Sequence, residues 1–496
     1  MRVLIVPLAA ALAMAAPGSV SAMPAAKNVS PASPDLRRAM AAAEALADRV
    51  DDSATAAIAF EAVASHPDFA RLDDRRRAAW LLRAARLAVD SGDLARALPL
   101  AQASVDARGD DPDAWFLLAQ LAASQDRYED AARALARFAT DWPEFVDNAP
   151  AQLLNLVIHR QRIDADTGGL LAALHAAGWA PDGVPADHAW ARLALVRSAG
   201  GDLAGARAAV AGVGAPNIIA WMRSDRRFDA IIDRDRPELD PARAADAWVT
   251  RIEALAAASP RSLALRRELG YALLIAGRPE AALALADAVL AGRHGFDDIG
   301  DLHWMLNHRA VALRRLGRTD DALAALTAAA AMEEDGHPNV SQVLNLGSLL
   351  VDLERPEDAL AAVTRLDGMS GYGALVQATV RMRAQLQSGR LEDAAVWFDR
   401  IQAGRDDGPM ILFEALLWNG RLDDAAMQLQ AMLDEPDRRA DALDWCQDYL
   451  GSEPLPGRLP FVEARRTLLA RADVRAAVEA VGRLEPPGIH AGVGID

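Results

Sequence analysis

The sequence predicts an all-α protein, a superhelical α/α solenoid of stacked helix pairs. A short turn phrase recurs eight times along the 496 residues, each time between two apolar helical runs. Sustained alternation of apolar and polar residues, which indicates half-buried strands, is not found. The single cysteine, Cys446, allows no intrachain disulfide, so packing between neighbouring helices must supply the stability.

Each recurring phrase is interpreted as the turn inside one helix pair. In SGRLEDA at 388–394, glycine ends the first helix, and acidic residues begin the second near the positive end of its dipole. Every phrase ends on alanine, because helices about 8 to 10 Å apart need a small side chain at their closest approach. These alanines are Ala97, Ala131, Ala206, Ala282, Ala322, Ala359, Ala394 and Ala425. Their predicted partners, twelve residues earlier, are Ala85, Ala119, Ala194, Gly270, Ala310 and Gly347.

The spacing between the phrases predicts further, degenerate pairs. Most neighbouring alanines are 31 to 40 residues apart, but the intervals on either side of Ala206 are about twice as long. Residues 150–177 and 216–258 are the candidates for the extra pairs, since each contains two helical stretches. With an N-terminal pair from about 34 to 65, we expect ten or eleven pairs in all.

One unit of the chain has the most regular pattern. DAWFLLAQLAASQDRYEDAARALARFATDWP contains, at characteristic spacing, Trp115, Leu118, Ala119, Tyr128, Ala131 and Pro143. This segment resembles a tetratricopeptide repeat, and weaker matches cover most of the chain. Met382 and Phe413 depart from the family pattern, which prefers a small residue at both positions. The resemblance implies a right-handed superhelix whose first helices line a concave groove for a peptide or a partner helix.

The family's groove-facing positions give six candidate binding residues in this sequence. They are Arg267, Tyr271, Trp304, Asn307, Arg314 and Arg383. Arginine can hold a carboxylate, and tryptophan or tyrosine can stack on an apolar side chain. The alternative interpretation of each residue is an ordinary solvated or packed side chain.

Two irregular segments suggest the domain organisation. The charged stretch MRSDRRFDAIIDRDRPELDP and the Pro-rich GSEPLPGRLP both interrupt the repeats. The predicted parts are repeat blocks at 34–221 and 242–450, a junction at 222–241, capping helices at 451–482 and a flexible tail at 483–496.

The first 22 residues have the organisation of a secretory signal. Arg2 precedes a short apolar run, and Pro17-Gly18 and small residues follow it, so we expect cleavage after Ala22 and a flexible mature N-terminus at 23–33. No later segment is apolar for long enough to span a membrane. These features predict a periplasmic or secreted protein.

Composition disfavours several functions. The formal net charge of −17 argues against nucleic acid as a partner, because phosphate binding needs a basic surface. Lys27 is the sole lysine, which argues against phosphate-loop nucleotide binding and Schiff-base chemistry. No cofactor is therefore predicted.

The candidate catalytic and metal-binding patterns are weak. His303 and His308, five residues apart, point about 140° from each other on a helix, so no metal site is predicted. Acidic pairs such as Asp320-Asp321 stand at helix starts, where interaction with the helix dipole accounts for them. An all-helical, glycan-active enzyme stays open as an alternative, although aromatic residues make up only 5% of the chain.

These observations favour a non-catalytic adaptor that binds a protein or peptide in the cell envelope. A self-associating scaffold is the structural alternative, and the oligomeric state is left open. Neither the identity of the partner nor the pathway follows from the sequence, because a fold does not determine a function.

Overall fold

The computed structural model describes residues 33–48, 53–160, 168–334, 336–366 and 368–492. These residues are predominantly helical, and the predicted all-α solenoid of helix pairs is confirmed. The chain divides into two compact units, with the boundary between Pro181 and Asp182. The predicted signal peptide at 1–22 lies outside the described residues.

In the first unit, helices α1 to α6 each pack against the next helix in sequence. The predicted degenerate pair at 150–177 contains two helices, but α8 packs chiefly against α6. The helices are α1 Pro34–Ala47, α2 Ser53–Ala64, α3 Asp74–Asp90, α4 Leu94–Ala107, α5 Pro112–Ser124, α6 Tyr128–Asp141, α7 Ala151–Arg160 and α8 Gly168–Ala177.

The second unit consists of helix pairs followed by three C-terminal helices. Its helices are α9 Asp187–Ala199, α10 Leu203–Val210, α11 Pro216–Ser224, α12 Pro241–Ala258, α13 Leu263–Ile275, α14 Pro279–Ala291, α15 Leu302–Arg315, α16 Thr319–Ala330, α17 Val340–Asp352, α18 Pro356–Thr364, α19 Gly371–Gln387, α20 Leu391–Ala403, α21 Pro409–Trp418, α22 Leu422–Asp434, α23 Arg439–Cys446, α24 Leu459–Ala470 and α25 Ala472–Val481. A two-stranded antiparallel ribbon, β1 Glu333–Glu334 and β2 His337–Pro338, pairs Glu334 with His337.

Local sequence explains where the helices start and stop. Asp93 and Asp240 cap the N-termini of α4 and α12, each accepting a hydrogen bond from the backbone N–H three residues on, at 3.0 and 2.9 Å. Gly389 and Gly420 follow α19 and α21 with positive φ angles of 70° and 67°, which favour glycine. The turn phrases thus separate the two helices of a pair.

Small residues lie where the paired helices meet. All eight phrase alanines are at most 1% exposed, and so are the partners Ala85, Ala119, Ala194 and Ala310. At Gly347 the paired helices approach too closely for a side chain, since a Cβ atom there would lie 2.7 Å from Cγ1 of Val363 in α18. Close packing therefore sets the distance between the helices of a pair.

Ala322→Leu is expected to destabilise the second unit by on the order of 1 to 3 kcal/mol, because the larger side chain overpacks the contact between α15 and α16. Ala322 is fully buried beside Ala310 and Leu313. Ala328→Leu, at an exposed position of the same helix, is the matched control. Chemical denaturation checks the prediction, and equal midpoints for the two variants would count against this packing.

The predicted junction at 222–241 is part of the second unit and does not separate two blocks. The fully buried carboxylate of Asp225 accepts a 2.6 Å hydrogen bond from Arg227 within the segment, whereas Asp229 and Arg234 form ion pairs with Arg483 and Glu485 near the C-terminus. Phe228 is also fully buried. The charge density of the segment predicted a junction between two repeat blocks, but its ion pairs attach it to other parts of the second unit.

The predicted flexible tail at 483–496 differs from the structure over its described part, 483–492. Ile489 is 2% exposed and packs against Ala220, Ala245 and Ile275. The backbone N–H of Arg483 donates to the Ser224 carbonyl at 2.8 Å. The segment after α25 therefore returns to α11–α13, at the start of the second unit.

Candidate functional site

The first helices of consecutive pairs in the second unit are α13, α15, α17 and α19; α13 packs against α15, α17 packs against α19, and a hydrogen bond from Asn345 to Asn307 joins α17 to α15. We call the surface made by their C-terminal turns the inner surface, and its members are Tyr271, Leu274, Ile275, Arg314, Arg315, Val351, Asp352, Arg383 and Gln387. Two segments of the same chain that lie outside the α-helices contact it. We call residues 447–458 the linker and residues 483–492 the strap.

The linker contacts the part of the inner surface formed by α15, α17 and α19. A guanidinium nitrogen of Arg314 donates to the carbonyl of Glu453. Gly457 lies against the end of α17 so closely that a Cβ atom would overlap the Val351 carbonyl oxygen. Leu455 packs against the hydrophobic core formed by α15 to α19. The linker therefore covers the central part of this surface.

The strap contacts α13 and α15. The backbone N–H of His490 donates to the carbonyl of Ile275 at 3.0 Å. Arg315 donates to the carbonyls of Ala491 at 2.9 Å and Gly492 at 3.2 Å, and its other terminal nitrogen donates to the Leu274 carbonyl. Strap and linker also join, because the N–H of Leu450 donates to the Ile489 carbonyl at 2.9 Å.

Four of the six predicted groove residues make internal contacts. Asn307 is fully buried and accepts a 3.0 Å hydrogen bond from Asn345. Arg314 and Arg383 are each 5% exposed, and Arg383 forms an ion pair with Asp352. Tyr271 packs on the apolar cluster around Ile489. These side chains hold the unit together rather than face an open groove.

The other two predicted groove residues are partly accessible. The Arg267 side chain is 40% exposed, and its guanidinium donates to a carboxylate oxygen of Asp301 at 2.6 Å. Trp304 is half-buried, with its ring 5.4 Å from the ring of His303. Arg267 and Trp304 lie on the N-terminal side of α13 and α15, which the strap does not contact through the hydrogen bonds described above.

A cavity of about 420 Å³ lies at the starts of α13 and α15. It is lined by Asp182, Ser259, Pro260, Arg261, Ser262, Leu263, Ala264, Asp297, Asp298 and Asp301. Asp297 is paired with Arg261, and Asp301 with Arg267. Asp298 accepts a 2.8 Å hydrogen bond from the Gly300 N–H. The carboxylates of Asp297, Asp298 and Asp301 are therefore held in place by neighbouring groups of the chain.

The histidines considered for metal binding are buried in the helix packing. His308 is 2% exposed, its Nδ1 lacks a hydrogen-bond partner, and burial lowers its pKa to about 3. Burial also lowers the pKa of His303. Within the described ranges, no three His, Cys, Asp or Glu side chains are grouped to hold a metal ion.

Sequence reasoning missed Arg315 and Ile489. It selected Arg314 from the adjacent arginine pair, yet Arg315 reaches the strap. The isoleucine in EPPGIHAG could have indicated this contact, because isoleucine is among the residues most often buried and it is the one branched apolar residue of that segment.

The fold and this surface define a helical-repeat protein. Residues 82–144 in the first unit and 308–374 in the second match the family model for the tetratricopeptide repeat. The similarity to the tetratricopeptide repeat therefore extends to both units. No curated protein sequence matches the chain.

The chain is similar to several solved helical-repeat structures. For the APC/C hetero-tetramer Cut9–Hcn1, identity is 13%, coverage is 90% of this chain and 95% of that chain, and the TM-score is 0.29. For yeast Tom70, identity is 11%, coverage is 90% of this chain and 83% of that chain, and the TM-score is 0.30. For the human IFIT1 dimer with m7Gppp-AAAA, identity is 12%, coverage is 81% of this chain and 80% of that chain, and the TM-score is 0.32.

Among the residues that the structure describes, none of the helices combines the length and the apolar character needed to cross a membrane.

Proposed function

We propose that this protein is a non-catalytic, protein-binding adaptor of the bacterial cell envelope. The observation that carries the proposal is the inner surface, where consecutive first helices of a tetratricopeptide-type solenoid hold an extended segment of chain. Stacked repeats of this kind offer long surfaces for protein partners. The signal-like first 22 residues support the envelope setting.

The accessible part of the proposed partner site is the N-terminal side of α13 and α15. Arg267 and Trp304 are exposed enough there to meet a partner, and the adjoining cavity lies beside Arg267 and Asp301. Aromatic and arginine side chains are the most frequent energetic centres of protein interfaces. A peptide or partner protein with a carboxylate and an apolar side chain suits this combination.

Self-association is the second candidate function, and exposed apolar side chains on two neighbouring helices support it. Leu391, Val396 and Met427, in α20 and α22, are 67%, 63% and 61% exposed. Exposed apolar side chains on neighbouring second helices are a feature of surfaces that associate. Light scattering on the purified chain separates this candidate from the adaptor.

Affinity capture from a cell-envelope extract tests the adaptor. The chain from residue 23 is compared with the double variant Arg267→Ala/Trp304→Ala and with Arg318→Ala, a control at an exposed ion pair with Asp321. We expect one specific protein to be recovered by the wild type and the control, with recovery reduced at least about tenfold by the double variant. Equal recovery by all three would place the partner elsewhere, and an empty capture by a self-associated chain would favour the scaffold.

A further inference from the structure

The strap is held on the inner surface in the manner of a bound peptide. Most of its polar contacts use its backbone: the His490 N–H and the Ile489, Ala491 and Gly492 carbonyls all have partners on α13, on α15 or in the linker. Main-chain hydrogen bonds are a general means of binding an extended peptide. The site thus recognises an extended backbone rather than a particular set of polar side chains.

One side chain anchors the strap. Ile489 is 2% exposed and packs against Ala220, Ala245 and Ile275, with Tyr271 and Tyr449 at the edge of the same cluster. Its neighbour Leu484 is 43% exposed and lies outside this pocket. The pocket therefore selects for a branched apolar residue at one position.

The positions around the anchor require small residues. Gly488 has a φ angle of 67°, which favours glycine. A Cβ atom on Gly492 would lie 3.1 Å from the Tyr271 hydroxyl oxygen, which leaves little room for a side chain. Together with the anchor, these constraints define a short motif of glycine, a branched apolar residue, one further residue and then small residues.

The base of the strap is attached more strongly than its end. Arg483 forms a bidentate ion pair with Asp229, at 2.7 and 2.6 Å, and Glu485 pairs with Arg234. Beyond Glu485, the described residues have no ion pair of their own and rely on the anchor, the backbone bonds and Arg315. Residues 486–492 can therefore leave the surface while the base stays in place.

We propose that the strap is a resident ligand of a peptide-binding site formed by α11, α12, α13, α15 and the linker. Partner proteins bind there through an extended segment of the same kind, a branched apolar residue flanked by glycine and small residues, and displace residues 486–492. This inference rests on the proposed adaptor function and names its class of partner. A tethered ligand has a millimolar effective concentration, so the strap reduces the affinity for every free competitor.

The test uses a fluorescent peptide with the strap sequence RLEPPGIHAG and anisotropy measurements on the full chain. Ile489→Asp removes the anchor from the strap, and Leu484→Asp is the matched control at an exposed strap residue. A second variant ends at Glu485 and retains the ion-paired base. We expect both strap variants to bind the peptide at least about tenfold more tightly than the wild type or the control. Adding Arg315→Ala, or using a peptide with Ile489→Asp, should remove that binding.

The proposal is overturned if neither strap variant binds the peptide more tightly than the wild type. It is also overturned if the variant ending at Glu485 fails to fold by circular dichroism, because a displaceable ligand cannot be required for the fold. These outcomes are independent of the adaptor test. Failure of the peptide experiment would not contradict the capture of a partner. An empty capture, in turn, would not contradict measured binding of the peptide.

Discussion

Replacing Arg383 by alanine is expected to destabilise the second unit by about 3 to 5 kcal/mol, because it leaves the Asp352 carboxylate buried without its cation. Asp352 is 1% exposed and Arg383 is 5% exposed, and the two form an ion pair between α17 and α19. The guanidinium also lies 3.9 Å from the ring centre of Trp418 in α21. One side chain thus joins three consecutive first helices.

The environment of Arg383 explains the size of the expected loss. Burial lowers the pKa of its guanidinium, while the adjacent Asp352 opposes that shift. Removing one member of such a pair destabilises the fold far more than removing both, because the remaining charge is left buried without a partner. Arg383→Met combined with Asp352→Leu should therefore recover most of the stability lost in Arg383→Ala.

Urea denaturation of the full chain checks this prediction. Arg390→Ala is the control, because Arg390 forms an exposed ion pair with Glu357, and its loss should cost no more than about 1 kcal/mol. A variant Arg383→Ala with the wild-type midpoint would show that the pair is not buried in solution.

The second large effect is expected at low pH, from His308. Burial lowers the pKa of His308 from 6.5 to about 3, so the folded chain keeps this imidazole neutral while the unfolded chain protonates it. Its contribution to stability is complete above pH 6.5 and is lost as the pH falls toward 3. Because the unfolded chain takes up the proton only below about pH 6.5, the loss between pH 7.5 and 4.5 comes from about two pH units and amounts to about 2.6 kcal/mol, at about 1.36 kcal/mol per unit.

The His308 contribution is isolated by comparing variants. The free energy of unfolding is measured at pH 7.5 and 4.5 for the wild type, for His308→Asn and for His294→Asn, the last at an exposed histidine. We expect the decrease on acidification to be smaller by about 2.6 kcal/mol in His308→Asn alone. An equal decrease in all three proteins would contradict the burial of His308.

The repeat architecture could be predicted because it depends on local features of the chain. Glycine at the turn, acidic residues at the next helix start and alanine at the crossing recur together, and Ala282, Ala322 and Ala359 are all fully buried. The two long intervals also predicted helices that the structure contains, α7 with α8 and α11 with α12. Such signals fall within one helix pair, where sequence spacing and spatial contact coincide.

The site was harder to predict because its contacts join distant parts of the chain. The strap binds through backbone groups, such as the N–H of His490, and such groups produce no recognisable sequence pattern. The family pattern places Arg383 at a groove-facing position, but the position does not reveal that Asp352 and Trp418 surround it. The tail was expected to be loose for the same reason: its order depends on α11, α13 and α15.

Hydrogen exchange of the full chain at neutral pH tests most directly the central claim, that the strap occupies the inner surface. The amides of Leu450 and His490 donate to carbonyls on the strap and on α13 respectively. We predict slow exchange at both, with protection lost in Ile489→Asp and kept in Leu484→Asp. Exchange of residues 486–492 at the rate of an unstructured peptide in the wild type would contradict the account, because the inner surface would then be open.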